Sequence, residues 1–301
     1  MCCSRLKSWG IALLLGAVTS PFWAAEPLKV VAISSDFASI ARSIGGERVR
    51  VSTLITGSRN LHHINPKPSM IVTLRDADLL IRLGMGQDTW IDGLIQVARN
   101  PHLFPGKQGY LDPSGPIEKL EVPTEHIDGR HGDVHLEGNP HYWLNPMNGL
   151  IIAAQIRDRL VVLDPEGEDL YQENYQVFQD TLLESMIRWQ EVLEPVKGYS
   201  FVTYHTVWSY FFDAFSLQSF GQLEPVPGVP PTPKHLHALQ ETVLGSQGPV
   251  LVLCASYYPS KACASFAKEA GIAFLSTPPN ASAKEGGYLA FFDQLTEDLV
   301  P

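Results

Sequence analysis

One amphipathic segment of nearly thirty residues divides this chain and limits how it can fold. Between about residues 165 and 193, large apolar side chains recur at spacings of three and four, the periodicity of one buried helix face. Pro165 suits the start of a helix, and Pro195 and Gly198 mark its end. At about 1.5 Å per residue, such a helix spans on the order of 40 Å. We predict a rigid strut long enough to run beside two domains.

Short apolar strands alternate with helical patterns on both sides of this segment. Runs such as 28–33 and 79–83 open the first half, and runs at 200–203, 250–254 and 272–275 repeat the pattern in the second. This alternation predicts an α/β fold of two βα-sandwich lobes with parallel-type sheets, joined by one long rigid helix. The predicted divisions are a signal peptide at 1–25, an N-terminal lobe at 26–164, the linking helix at 165–196 and a C-terminal lobe at 197–301.

The first 25 residues have the pattern of a secretory signal peptide. Arg5 and Lys7 precede an apolar run that is too short to span a membrane comfortably, and small residues follow near a cleavage point. Cys2 and Cys3 lie before the apolar run, where neither can become a lipid-bearing mature N-terminus. We expect cleavage after residue 24 or 25 and a soluble periplasmic protein.

The chain is acidic, with a formal net charge of −10 over 301 residues. This charge argues against nucleic-acid partners and anionic lipid surfaces, and it suits a protein that attracts cations. Two cysteines, Cys254 and Cys263, remain after the leader. Export permits a disulfide between them. Because Cys254 ends a predicted strand and Cys263 falls within the next helix, we favour two buried thiols and keep the disulfide as the alternative.

Three histidines stand in short loops of restricted geometry. His141 lies in the proline-rich stretch 138–146, while His62 and His205 each follow a β-type run and precede a helical pattern. Ligands bind at the carboxyl ends of strands in open α/β sheets, and neutral imidazole is a preferred zinc ligand. We therefore predict a metal centre built from these three side chains. The alternative for each is an ordinary structural role, such as packing of the His141 ring on Trp143.

The remaining histidines fall into three groups. His63 competes with its neighbour His62 as the ligand from the first loop. The acidic, glycine-containing segment 125–137 fits an accessory loop that gathers metal, and an equally good interpretation is a solvated loop with incidental histidines. Its histidines are His126, His131 and His135. His102, His235 and His237 lack such surroundings, and we expect surface or helix positions for them.

The three histidine motifs resemble those of the solute-binding proteins of metal-transporting ABC importers, the cluster that handles zinc or manganese. The first family motif, His-x-aromatic-x-x-x-Pro-Ser, is matched by His62, Pro68 and Ser69, with Ile64 in the aromatic place. The second, Pro-His-x-Trp-Leu-Asp-Pro, is matched by Pro140, His141, Trp143, Leu144 and Pro146, with Asn145 for the aspartate. The third, Val-Thr-x-His before an aromatic helix, is matched by Val202, Thr203, His205, Trp208 and Tyr210.

This resemblance covers nearly the whole mature chain and implies a specific function. Family members have two α/β lobes joined by a rigid helix and hold metal in the cleft between them. The resemblance implies high-affinity zinc capture in the periplasm, delivery to an ABC permease with its ATPase, and no enzymatic activity; we expect a monomer. Manganese-type relatives tend to carry glutamate at the position of His205, because hard Mn²⁺ prefers oxygen, so three nitrogens favour Zn²⁺. Copper and nickel remain competitors.

The chain departs from the family pattern at the fourth ligand. The family supplies an acidic side chain in an Asp-Pro step after the last strand, where this chain has Thr277 and Pro278. The family's glutamate after the penultimate strand is also missing from 250–256. A water molecule, His63 or another acid could complete the shell.

Three other functions compete with zinc delivery. One is binding of manganese or another divalent metal within the same family. A zinc-dependent hydrolase is another, since three histidines and an open position also describe catalytic zinc. The chain has no His-Glu-x-x-His helix and no evident general base, which argues against it. The last is an adhesin or structural protein on the same fold.

Overall fold

The computed structural model describes residues 26–57, 59–62, 64–124, 135–282 and 286–300. The predicted signal peptide and three of the named histidines lie outside these ranges: His63, His126 and His131. Among the described helices, none is both long and apolar enough to cross a bilayer.

The N-terminal half forms a four-stranded parallel sheet in the order β2-β1-β3-β4. The strands are β1 (Leu28–Ala32), β2 (Val49–Thr53), β3 (Leu79–Ile81) and β4 (Tyr110–Leu111). The helices that pack around it are α1 (Ser35–Gly45), α2 (Pro68–Arg75), α3 (Trp90–Ala98) and α4 (Pro146–Leu163). Helix α1 begins after Ser34, whose hydroxyl caps the helix by accepting a hydrogen bond from the Phe37 amide.

Helix α5 (Glu168–Val192) is the predicted strut, 25 residues long. At about 1.5 Å per residue it spans roughly 37 Å. Its buried apolar side chains lie on the predicted helix face: Tyr171, Phe178, Leu182, Met186 and Trp189. Its start is fixed to the N-terminal half, since Arg48 donates two hydrogen bonds of 2.7 Å to Asp164 and the Tyr171 hydroxyl donates a third of 2.6 Å.

The C-terminal half repeats the architecture with a second parallel sheet in the order β6-β5-β7-β8. Its strands are β5 (Ser200–Thr203), β6 (Gln218–Gln222), β7 (Val250–Ala255) and β8 (Ala273–Thr277). Its helices are α6 (Ser209–Phe215), α7 (Pro233–Leu244), α8 (Ser260–Ala270) and α9 (Gly287–Leu299). The predicted fold class, two α/β lobes with parallel sheets and one long helix, is confirmed.

Helix α9 connects the two halves of the molecule. Helix α9 follows the second sheet in the chain but packs against α1 and α5. The Tyr288 amide donates to the Ser39 hydroxyl at 2.8 Å, and the Tyr288 hydroxyl donates to the Trp143 carbonyl at 2.6 Å. The closing segment of the chain therefore stabilises the turn that carries His141. The division of the chain at residues 164 and 196 stays a prediction.

The expectation of two free thiols was wrong. Cys254 in β7 and Cys263 in α8 form a disulfide, with their Cα atoms 6.5 Å apart and both side chains fully buried. The chain turns back sharply after β7, which brings the first turns of α8 over the end of the strand. A strand residue and a helix residue only nine positions apart can therefore meet.

Candidate metal centre

The three predicted histidines come together between the two lobes. His62 lies in the loop between β2 and α2, His141 in the turn before α4, and His205 directly after β5. Their ligand nitrogens all lie within 4.8 Å of one another. The Nε2 atoms of His62 and His141 are 3.2 Å apart. Two nitrogens at about 2.0–2.1 Å from a tetrahedral zinc ion would be separated by about 3.3 Å. The spacing of this pair therefore fits binding to one common ion.

The environment of His141 favours its neutral, metal-binding form. The side chain is 2% exposed. Burial, followed by the positive charges that His62, His205 and His135 would carry, lowers the pKa of His141 well below its usual value. A neutral imidazole keeps a lone pair on one ring nitrogen, which a metal ion requires. Its ring also lies 5.4 Å from that of Trp143, so the packing considered as an alternative occurs alongside the clustering.

Asn139 orients His141 and connects the two lobes. Its side-chain oxygen accepts hydrogen bonds from the His141 amide at 2.9 Å and from the His141 Nδ1 at 2.8 Å, which leaves Nε2 to face the cluster. Its amide nitrogen donates to Glu121 in the first half of the chain and to the Thr206 carbonyl in the second. Asn60 caps the His62 amide in the same way at 3.0 Å. An asparagine two residues before each of these two histidines is a turn signal that the sequence motifs alone did not reveal.

His205 is oriented by a carboxylate that the sequence analysis missed. The Nδ1 of His205 donates to Glu224 at 2.9 Å, and the same carboxylate oxygen accepts from the Gly228 amide at 3.2 Å. The side chains of His205 and Glu224 are 6% and 8% exposed. This is the carboxylate–histidine arrangement that orients metal ligands in proteins. No motif marks Glu224, because it reaches the site only through the edge strand β6.

One described side chain of the predicted accessory segment, His135, lies beside the histidine cluster. The Nε2 of His135 lies 3.0 Å from the Nδ1 of His62, and the two rings are 4.9 Å apart. Among the described residues, the group with ligand atoms within 4.8 Å of one another holds His62, His141 and His205 and does not extend to His135. His135 therefore contacts Nδ1 of the predicted ligand His62, whereas Nε2 of His62 faces His141.

The expected fourth-ligand position carries a hydroxyl in a well-packed loop. Thr277 ends β8 and is 4% exposed. The following loop is held in place, because the Pro279 carbonyl accepts from the Trp143 indole at 3.2 Å and the Ala281 amide donates to Asp36 at 2.8 Å. Burial raises the pKa of Asp36 to about 6.

The comparisons with known proteins agree with this architecture. A family profile described as "ZnuA: Zinc-uptake complex component A periplasmic" matches residues 30–301. The manganese ABC transporter substrate-binding lipoprotein PsaA of Streptococcus pneumoniae is 25% identical over 252 residues, covering 80% of this chain and 78% of the relative.

Two solved structures are similar to this one along nearly their whole length. A crystal structure of ZnuA superposes with a TM-score of 0.75 at 22% identity, covering 90% of this chain and 97% of that one. A Cd-bound periplasmic metal-binding protein from Candidatus Liberibacter asiaticus has a TM-score of 0.73 at 18% identity, with coverages of 90% and 98%. At these identities the likeness establishes the shared fold.

Proposed function

This chain belongs to the ZnuA family of zinc-uptake periplasmic components, and from that premise we propose that it binds zinc with high affinity and delivers it to an importer. Family members are metal-binding substrate-binding proteins of ABC importers and not enzymes, so the hydrolase alternative is not kept. The partners implied by the family are the membrane permease and its ATPase. The observation that carries the proposal is the convergence of three imidazoles from both lobes.

The donor atoms are the reason for proposing zinc over manganese. Within the described residues, the candidate cluster consists of three histidines and contains no carboxylate. Zn²⁺ readily accepts such a nitrogen shell, whereas Mn²⁺ prefers carboxylate and carbonyl oxygen. PsaA is named for manganese, so family membership alone does not decide between the two ions. The proposed ligand atoms are Nε2 of His62, His141 and His205, with Zn²⁺ as the transported substrate.

The proposal also includes the state of the protein in the cell. We expect a cleaved signal peptide, a periplasmic location and a monomer that presents the metal between its lobes. Histidines on separate lobes suit a carrier, because a small displacement of one lobe by the permease would break the shell and release the ion.

Metal analysis combined with competition is the direct test. The purified mature protein should bind one zinc ion per chain, and a titration against a competing chelator should give tighter binding for Zn²⁺ than for Mn²⁺. X-ray absorption at the zinc edge should show three imidazole ligands. Tighter binding of Mn²⁺ would transfer the function to manganese delivery, and an absence of stoichiometric metal would defeat the proposal.

Replacing Glu224 by leucine should lower zinc affinity by about 10–100-fold, the usual cost of removing a partner of a metal ligand. The substitution removes the acceptor that holds the Nδ1 of His205 at 2.9 Å, so the ring can rotate away from the ion. Glu224→Gln is the matched control, because its amide oxygen still accepts that hydrogen bond, and it should retain most of the affinity. Equal affinities for Glu224→Leu and the unmodified protein would show that His205 needs no such partner.

A further inference from the structure

We propose that His135 is a positioning residue that fixes His62 in the tautomer and orientation needed to bind the metal. The inference rests on the proposed function, because it assigns a role within the same zinc site. It gives one histidine of the accessory segment a defined task that differs from gathering metal.

The three clustered histidines share one arrangement. Each directs Nδ1 to a hydrogen-bonding partner: His141 to Asn139 at 2.8 Å, His205 to Glu224 at 2.9 Å and His62 to His135 at 3.0 Å. Such partners fix ring orientation and tautomer in metal sites. Two of the three partners are an amide and a carboxylate oxygen. The third is an imidazole, which can act in this way in only one of its tautomers.

The direction of the His62–His135 hydrogen bond decides whether His62 can bind metal. A neutral imidazole carries its proton on one ring nitrogen and a lone pair on the other. For Nε2 of His62 to reach the ion, its Nδ1 must carry the proton and Nε2 of His135 must accept it. The opposite direction would place a proton on Nε2 of His62, 3.2 Å from Nε2 of His141, and would block the metal. We infer that the bound state uses the first direction.

A backbone turn holds His135 beside the Nδ1 atom of His62. The Gly138 amide donates to the His135 carbonyl at 3.1 Å and closes a turn. Gly138 has a φ of +101°, and a Cβ there would lie 2.7 Å from the Leu120 carbonyl oxygen, so the turn favours glycine on both counts. The short stretch 135–141 thereby supplies the ligand His141 and the partners of two ligands.

His135→Leu is the test variant, because leucine fills similar space without an acceptor. We expect its zinc affinity to fall by about 10–100-fold in a chelator competition. His135→Gln should restore most of the loss, since its amide oxygen can accept from the Nδ1 of His62. His237→Leu is the matched control: this histidine lies on α7 with a side chain 72% exposed, and its replacement should leave affinity unchanged.

Two spectroscopic measurements separate positioning from other roles. ¹⁵N NMR of the metal-free protein should show His62 protonated at Nδ1, and His135→Leu should shift this tautomer population. Zinc-edge absorption should count three imidazoles in both the unmodified protein and His135→Leu. A count of four imidazoles in the unmodified protein that falls to three in the variant would make His135 a ligand and overturn the inference.

The remaining outcomes distinguish a failure of the positioning role from a failure of the proposed function. If His135→Leu keeps both the affinity and the His62 tautomer of the unmodified protein, the positioning role is refuted while the zinc site stands. If His135→Gln binds as weakly as His135→Leu, a hydrogen-bond acceptor is not what the position supplies, and the inference fails. If neither the unmodified protein nor His237→Leu binds zinc, the proposed function itself fails.

Discussion

We expect replacement of His141 by alanine to abolish stoichiometric zinc binding and to leave the protein folded. The variant retains only two of the three clustered imidazoles, so the loss should exceed the roughly 10–100-fold that removal of an outer partner costs. The turn itself should persist, because the Asn139 side chain caps the backbone amide of residue 141 at 2.9 Å and does not need the ring for that contact. Chelator competition gives the affinity, and circular dichroism checks the fold.

His235→Ala is the matched control for this variant. His235 is a half-buried histidine of the second lobe, whose Nε2 donates to the Gln222 carbonyl at 2.9 Å and which is not a member of the candidate cluster. Its loss removes one hydrogen bond and no proposed ligand, so zinc affinity should be unchanged. Zinc binding by His141→Ala at the affinity of the control would remove His141 from the site and with it the proposed shell.

The parts of the fold that the sequence predicts are those in which local pattern and tertiary environment agree. The buried face of α5 follows from apolar spacing alone, and β5 and β7 are apolar runs because parallel central strands are covered on both faces. Two of the four edge strands, β4 and β6, escaped prediction for the opposite reason. Strand β4 has two residues, and β6 (Gln218–Gln222) is mostly polar and partly exposed, so neither shows a strand pattern.

The candidate site also has a part that the sequence predicts and a part that it does not. His62, His141 and His205 could be predicted because each stands in a short motif with proline or at a strand end, where local sequence restricts the backbone. Their partners could not be predicted as a set. His205 and Glu224 are 19 positions apart, and His62 and His135 are 73 apart. Contacts over such separations depend on which strands and loops the fold brings side by side, such as the pairing of β5 with β6 that places Glu224 beside His205. No spacing in one sequence records that.

A buried ion pair between Arg82 and Asp88 is connected by hydrogen bonds to the turn that carries His141. Breaking this pair should lower the free energy of unfolding by about 3–5 kcal/mol. Asp88 is fully buried and accepts from Arg82 at 2.8 Å and from the Leu83 amide at 2.8 Å. The Leu83 carbonyl in turn accepts from the hydroxyl of Tyr142, the residue after His141, at 2.7 Å. Asp88→Ala would leave Arg82, itself 6% exposed, without its buried counter-charge.

Arg82 also allows a control substitution, because it contacts a second aspartate that is exposed to solvent. Its guanidinium also contacts Asp92, whose side chain is 51% exposed, so Asp92→Ala removes a solvated partner and should cost about 0–1 kcal/mol. Denaturant unfolding of both variants and the unmodified protein measures the two costs, with similar m-values as a check that the unfolding transition is unchanged. Equal costs would mean that Asp92 neutralises Arg82 as well as Asp88 does. A large cost confined to Asp88→Ala would show that burial decides the strength of this pair.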